Sequence, residues 1–216
     1  MRIAFLGHGS VGGALAGHLA GLGHTVTLGA DAAHRASADS LADRTPGVAV
    51  ASPGDAVTGA ELVVLAVPFG TVGDVLPPLA DALAGRVLVD ATNPVGPGLV
   101  HGLGSTRSGA ELVAGLAPGA RVVKAFSVYG AENLARAPHP GAPARPVMPI
   151  AGDDAPAKDA VAGLARAMGW RPLDTGPLAQ ALHLEHLTLL WVRMVRAGGY
   201  RPDLVWAALP GEDGAG

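Results

Sequence analysis

Gly7-His8-Gly9-Ser10-Val11-Gly12 is the segment whose residue types and spacing most directly imply chemistry. In G-x-G-x-x-G the first glycine permits a tight turn, and the second lets the backbone approach a pyrophosphate. The third lets a helix pack closely on the preceding strand. The bare pattern carries little weight, because with 32 glycines in 216 residues chance alone supplies roughly 0.7 such matches. Position carries the weight instead. The match follows the apolar run Arg2-Ile-Ala-Phe-Leu6 and opens a stretch with Val11, Leu15, Leu19 and Leu22 at helical spacing. There the helix start offers N–H donors and positive potential to phosphate oxygens. A bound dinucleotide is the expected reading, against that of a plain glycine-rich turn.

The end of the second strand reads the adenosine ribose in such sites. An acid accepts from a 2′-hydroxyl, whereas an arginine pairs with a 2′-phosphate. Gly29-Ala30-Asp31, His34 and Arg35 supply both signals: Asp31 argues for NAD, Arg35 for NADP, and residue types alone leave the choice open. Asn93 and Lys124 fall at or near strand C-terminal ends, where ligands bind in open parallel sheets. Asn93 suits the orientation of a carboxamide, the competing reading being an Asn-Pro turn. Lys124 could balance charge on a reduced ring or an anionic substrate, the competing reading being a solvated strand-end lysine. No other catalytic residue stands out, as expected for hydride transfer between two flat rings, where the reactive atoms belong to the cofactors.

Four further groups weigh less. His183, Glu185 and His186 have helical spacing compatible with a metal, yet no third strong ligand lies nearby, so no metal site is expected. Ser127 and Tyr129 lack the Tyr-x-x-x-Lys spacing of short-chain dehydrogenases. The Leu182–Val195 stripe reads as core or dimer interface, and Gly102-x-Gly104 as loop.

Elements that must position these residues follow a strand–helix alternation. Strands are expected at 2–6, 25–28, 48–50, 61–67 and 86–90, with helices over 10–22, about 32–43 and about 71–84. This predicts an α/β fold with a doubly wound, mainly parallel Rossmann sheet and a small C-terminal helical extension. Residues 93–108 read as loop, and Ser108 with Glu111 as the cap of a helix over 109–117. A strand at 121–125, a Pro-rich loop over 136–146 and a strand at 147–151 follow. Asp153 reads as the cap of a helix over 155–168. A strand at 171–174 and a long helix over 178–197 complete the pattern. The expected organisation is a dinucleotide-binding domain over 1–150, a strand/helix extension over 151–210 packed on it, and a tail over 211–216.

Composition narrows the function classes. A net charge of −3 without a basic cluster gives no footprint for nucleic acid or an anionic membrane. Gly, Pro or a charge interrupts every apolar run before the roughly 18 residues needed to span a bilayer. The residues after Met1 read as a core strand and not as a leader, which suggests a cytoplasmic protein. The absence of cysteine excludes disulfides and thiolate chemistry.

Beyond the glycine loop, several segments in order resemble one family. They are Gly23-His24-Thr-Val-Thr-Leu-Gly29, Asp90-Ala-Thr-Asn-Pro94, Val123-Lys-Ala-Phe126 with Gly130-Ala-Glu-Asn133, and Met148-Pro-Ile-Ala-Gly-Asp-Asp154. Asp174-Thr-Gly-Pro-Leu-Ala179 then runs into Leu184-Glu185 and Leu190-Trp191. Together they resemble the NADPH-dependent coenzyme F420 reductases (F420:NADP oxidoreductases), whose fold recurs in six-transmembrane metalloreductases. The resemblance spans residues 2 to about 209. It implies hydride transfer between NADPH and the deazaflavin coenzyme F420 by a homodimer. It also implies cofactor contacts at Gly7, His8, Gly9, Ser10, Val11 and Gly12, then at Ala30, Asp31 and Arg35. Ala66, Val67 and Pro68 follow the central strand, and Asn93 and Ala125 would lie near the nicotinamide. The chain departs from the family where His8 replaces a small residue and Ala30-Asp31 replaces the Ser-Arg pair that grips the 2′-phosphate. Ser127 replaces an Asn, and residues 95–108 match no family consensus. The alternatives are an NAD(P)-dependent reductase of a small imine, ketone or β-keto acid, and a non-catalytic dinucleotide-binding module. The former normally carries a longer helical C-terminal domain.

Overall fold

A computed structural model describes residues 1–139 and 141–209. In chain order the first half comprises β1 (Arg2–Leu6), α1 (Ser10–Gly21), β2 (Thr25–Gly29), α2 (Arg35–Asp43), β3 (Val48–Ala51), α3 (Pro53–Gly59), β4 (Leu62–Leu65), α4 (Val72–Val75), α5 (Ala80–Leu83) and β5 (Val87–Asp90). The second half comprises β6 (Val95–Gly96), β7 (Val100–His101), α6 (Gly109–Leu116), β8 (Arg121–Lys124), α7 (Ala131–Leu134), β9 (Val147–Gly152), α8 (Ala155–Ala167), β10 (Arg171–Asp174) and α9 (Ala181–Arg196). Eight strands form one sheet in the order β10-β9-β8-β5-β4-β1-β2-β3. Every neighbouring pair is parallel except β8 with β9.

The central strands are apolar on both faces because both faces are covered. Along β1, Ile3 and Phe5 join one buried layer with Leu15 and Leu19 of α1 and Val161 and Leu164 of α8. Ala4 and Leu6 join the opposite layer with Val57 of α3, Leu83 of α5 and Val113 of α6. With few aromatic residues in the chain, Trp170 and Trp191 supply the largest fully buried side chains or nearly so. Tyr129 stacks on Trp170 at 4.8 Å between ring centroids.

Several expectations need correction. The helix expected over about 71–84 is broken into α4, a 3₁₀ turn at Pro77–Leu79, and α5, because Pro77 and Pro78 have no N–H to continue the ladder. The stretch 93–108 is not all loop: β6 pairs antiparallel with β7, and Gly102 packs against the Pro94 carbonyl so closely that a Cβ there would lie 3.1 Å from its oxygen. Asp154, not Asp153, caps α8 by accepting from Ala157 N at 2.7 Å. Asp153 instead accepts from Leu178 N at 2.9 Å, at the 3₁₀ turn that precedes α9. The boundary expected at residue 150 falls inside β9, and β9 and β10 extend the sheet instead of packing on it. Two short helices were not anticipated. One of them, α3, has a legible start, with Ser52 as cap, Pro53 in the first turn and Asp55 N donating to Ser52 Oγ at 3.2 Å. The Ser108–Glu111 capping box forms as expected. The tail over 211–216 lies outside the described residues.

Candidate active site

From β1 the chain moves outward through β2 and β3, then returns to place β4 on the other side of β1. This reversal opens a crevice at the carboxyl ends of β1 and β4, the general ligand position of open α/β sheets. The glycine loop lies there. Gly7 has φ +100°, and a Cβ on it would meet the Ala66 carbonyl carbon at 2.6 Å. A Cβ on Gly12 would lie 2.1 Å from Gly7 O. Packing against the protein's own backbone therefore requires glycine at both positions, and Ala66 at the end of β4 takes part through Ala66 N donating to Leu6 O at 2.7 Å. Gly9 differs: a Cβ there meets nothing within 4 Å. It caps α1 without any side-chain hydrogen bond, so the first N–H groups of a twelve-residue helix face open space, as a pyrophosphate requires.

Next to the loop, at the end of β2, lies an exposed polar cluster. Asp31 Oδ1 accepts from His34 N at 2.9 Å and from His34 Nδ1 at 2.7 Å. These hydrogen bonds hold the Asp31 carboxyl below its usual range. Arg35 Nε donates to Asp39 at 2.9 Å along α2, so the residue expected to signal a 2′-phosphate is engaged on its own helix. His8 Nε2 lies 2.8 Å from Ser37 Oγ, and burial followed by repulsion from His34 lowers its pKa. Ala30, expected as a contact, is buried and donates to Ala51 O at 3.0 Å. The sequence reading missed Ser37, which has no motif.

At the other end a cavity of about 290 Å³ is lined by Ser10, Val11, Asn93, Val95, Ser127 and Thr188, among others. Asn93 Nδ2 donates to Ser127 O at 2.8 Å. Asn93 Oδ1 and Ser127 Oγ are buried without a hydrogen-bond partner. Such atoms cost about 1–3 kcal/mol each if left unpaired, which fits a site that expects a ligand. Phe126 adopts φ +56°, a left-handed conformation disfavoured for a bulky residue, and so turns the chain between β8 and Ser127. Ala125 is fully buried behind it. Tyr129 is not free for proton transfer: its hydroxyl donates to Val147 O at 2.8 Å, and burial pushes its pKa up.

Lys124 requires a correction. It is neither solvated nor in the cavity but wholly buried. Its Nζ donates to Asp90 Oδ2 at 2.9 Å and to the Thr92 carbonyl, and lies 3.2 Å from Glu185 Oε1. Asp90 Oδ1 accepts from Thr92 N at 2.9 Å and from Thr92 Oγ1 at 2.6 Å. Glu185 Oε2 accepts from Gly109 N at 3.0 Å and pairs with His101 Nε2 at 2.8 Å. Because His101 Nδ1 accepts from Leu103 N and Ser105 N, Nε2 is its proton donor. Glu185 thus turns away from His183 and His186, and His186 Nε2 lies instead 2.9 Å from Ser105 Oγ. The network fixes the Asp90–Pro94 turn and so the backbone that carries Asn93. One signal could have revealed it: a glutamate at a buried position of α9 must find a cation, and Lys124 is one of only two lysines.

The comparisons agree with this architecture. Residues 2–94 match the family described as NADP oxidoreductase, coenzyme F420-dependent. A crystal structure from Arthrobacter sp. FB24, of a protein provisionally described as an F420-dependent NADP reductase, is 32% identical. The similarity covers 94% of this chain and 96% of that one, with a TM-score of 0.80. Metalloreductase STEAP3 of Rattus norvegicus is 38% identical over 189 residues, 87% of this chain. The chain spans only 36% of that relative's length. An imine reductase of Streptomyces aurantiacus shares the fold at 23% identity and a TM-score of 0.66, over 91% of this chain and 64% of that one. The chain belongs to the coenzyme F420-dependent NADP oxidoreductase family and has its Rossmann fold.

Proposed function

We propose that this chain transfers a hydride between NADPH and the deazaflavin coenzyme F420. The observation that carries the reading is the pair of unpartnered buried atoms, Asn93 Oδ1 and Ser127 Oγ, in a cavity that also reaches Ser10 and Val11 of the glycine-loop helix. Ser10 and Val11 thus connect the phosphate end of the crevice to the ring end. Gly9 and the start of α1 would hold the pyrophosphate, Asn93 Oδ1 would accept from the nicotinamide carboxamide, and Ser127 Oγ would complete its pairing. When bound, the nicotinamide supplies the hydride. The chain's own residues position and desolvate the two rings.

Among the described residues that line the cavity the one carboxylate, Glu132, pairs with Arg196 at 3.3 Å, which supports a ring-to-ring transfer over reduction of an imine or ketone, a reaction that needs a free proton donor beside the reacting carbon. Tyr129 is bonded to Val147 O, and Lys124 is sealed among carboxylates. The family description supports the acceptor. We take the working form to be a cytoplasmic homodimer, a reading that a monomeric mass in sedimentation would refute. No helix among the described residues is long and apolar enough to cross a membrane.

The test is direct. Protein is mixed with NADPH and oxidised F420, and the deazaflavin absorbance is followed. Bleaching is expected, and none with either NADPH or NADH would refute the acceptor.

A further inference from the structure

The family is described as NADP-dependent, yet the end of β2 presents Asp31 where an arginine would pair with a 2′-phosphate, and Arg35 is paired with Asp39 at 2.9 Å. Beside that paired arginine, the groups at the end of β2 that can take up a proton on binding an anion are the imidazoles of His8 and His34. Ser37 Oγ donates its one proton to His34 O at 2.8 Å. It must therefore accept from His8, so His8 carries its proton on Nε2 and leaves Nδ1 free to bind another. Asp31 can only accept, so His34 carries its proton on Nδ1 and leaves Nε2 free. The two rings flank Asp31 and Ser37 and repel each other when both are charged.

We propose that the 2′-phosphate of NADPH is gripped by this imidazole pair, His8 and His34, so that NADPH affinity falls with rising pH while NADH affinity stays nearly flat. The inference rests on the nucleotide lying across the glycine loop as proposed above. A dianionic phosphate beside two imidazoles favours their doubly protonated forms, so binding takes up protons and weakens as they become scarce. Protonation of His34 also neutralises Asp31, which otherwise repels the phosphate and favours a 2′-hydroxyl. The groups facing the pair are Asp31 from the β2 end and Arg35 with Asp39 from α2. Neither β3 nor residues 10–16 of α1, which lie beside α2, carry an ionisable side chain. The 2′-phosphate itself protonates below about pH 6 and acts in the opposite sense, so the informative window lies above that.

The experiment measures dissociation constants of NADPH and NADH by nucleotide fluorescence at pH 6.5 and 8.5 on the full chain. NADPH is expected to weaken about tenfold across this window and NADH less than twofold, as suits two partly exposed charge-assisted contacts. The His34→Arg variant should bind NADPH with a shallower pH slope, because the charge at position 34 then persists while that of His8 does not. The double variant His8→Asn, His34→Asn should lose the slope and bind NADPH weakly at both values. Equal slopes for the two nucleotides, or a slope that survives in the double variant, would overturn the imidazole grip and leave the nucleotide site intact. Failure of both nucleotides to bind at either pH would remove the site reading and the grip with it.

Discussion

The same sheet edge carries two polar clusters built from similar residues, a carboxylate with an imidazole and a nearby cation. At the end of β2, Asp31 and His34 keep 59% and 68% of their side chains exposed. At the ends of β5 and β8, Asp90, Lys124, Glu185 and His101 keep 2% or less. Water makes the difference. In the exposed cluster the charges are screened, and each pairing is worth little to stability. Such residues can drift and retune which nucleotide is accepted without endangering the fold. In the buried cluster every charge depends on its partners, because an unpaired ion there has nowhere to find solvation. The first cluster can select a ligand, whereas the second holds a turn in place.

The largest expected effect breaks the buried cluster. Lys124→Met leaves Asp90 and Glu185 without their cation and should cost ~3–5 kcal/mol in denaturant unfolding. A loss near zero would show that the carboxylates simply take up protons and that the network is not what locks the turn. The glycine loop, between the two clusters, offers a sharper contrast. Gly12→Ala should unseat α1, because its Cβ would fall 2.1 Å from Gly7 O. Gly9→Ala should keep stability within about 1 kcal/mol while weakening nucleotide binding more than tenfold. Retained binding in Gly9→Ala would place the pyrophosphate elsewhere.

Asn93→Ala should lower kcat/KM for hydride transfer roughly tenfold, about one lost hydrogen bond, with a smaller change in melting temperature than Lys124→Met. Equal losses in both variants would merge the two roles. The smallest effect belongs to an exposed pair at the opposite end of the sheet from β2. The Lys158 ammonium hydrogen-bonds Asp174 and holds its carboxyl below the usual value near 3.8. A depressed folded-state pKa stabilises above that value and stops doing so as pH falls through the folded pKa. The melting-temperature gap between the wild type and Asp174→Asn should therefore be small at pH 6 and shrink as pH falls below 3.8. A gap that widens in acid would reverse the sign of the linkage.

Most of the fold was legible because its signals are local. The apolar runs of β1, β4 and β5, the glycine turn and the Ser108–Glu111 box each sit within a few residues. The broken helix between β4 and β5 was legible too, had Pro77 and Pro78 been weighed above the apolar spacing. The hairpin of β6 and β7 was not, since two-residue strands leave no periodicity.

The site divides in the same way. The sequence alone determined that the turn at Gly7–Gly12 packs tightly, because close backbone approach needs glycines at fixed spacing. It also brought Asn93 to a strand end. It could not decide what Lys124 does, since an isolated lysine reads alike whether solvated or buried. That answer depends on Glu185 and His101, which lie 61 residues after it and 23 before it in the chain. Only the tertiary structure brings them together, and only burial turns that meeting into a lock. The same holds for His8 and Ser37, which are 29 residues apart. Hydrogen bonding and desolvation act over ångströms in space, and local residue patterns do not encode those distances.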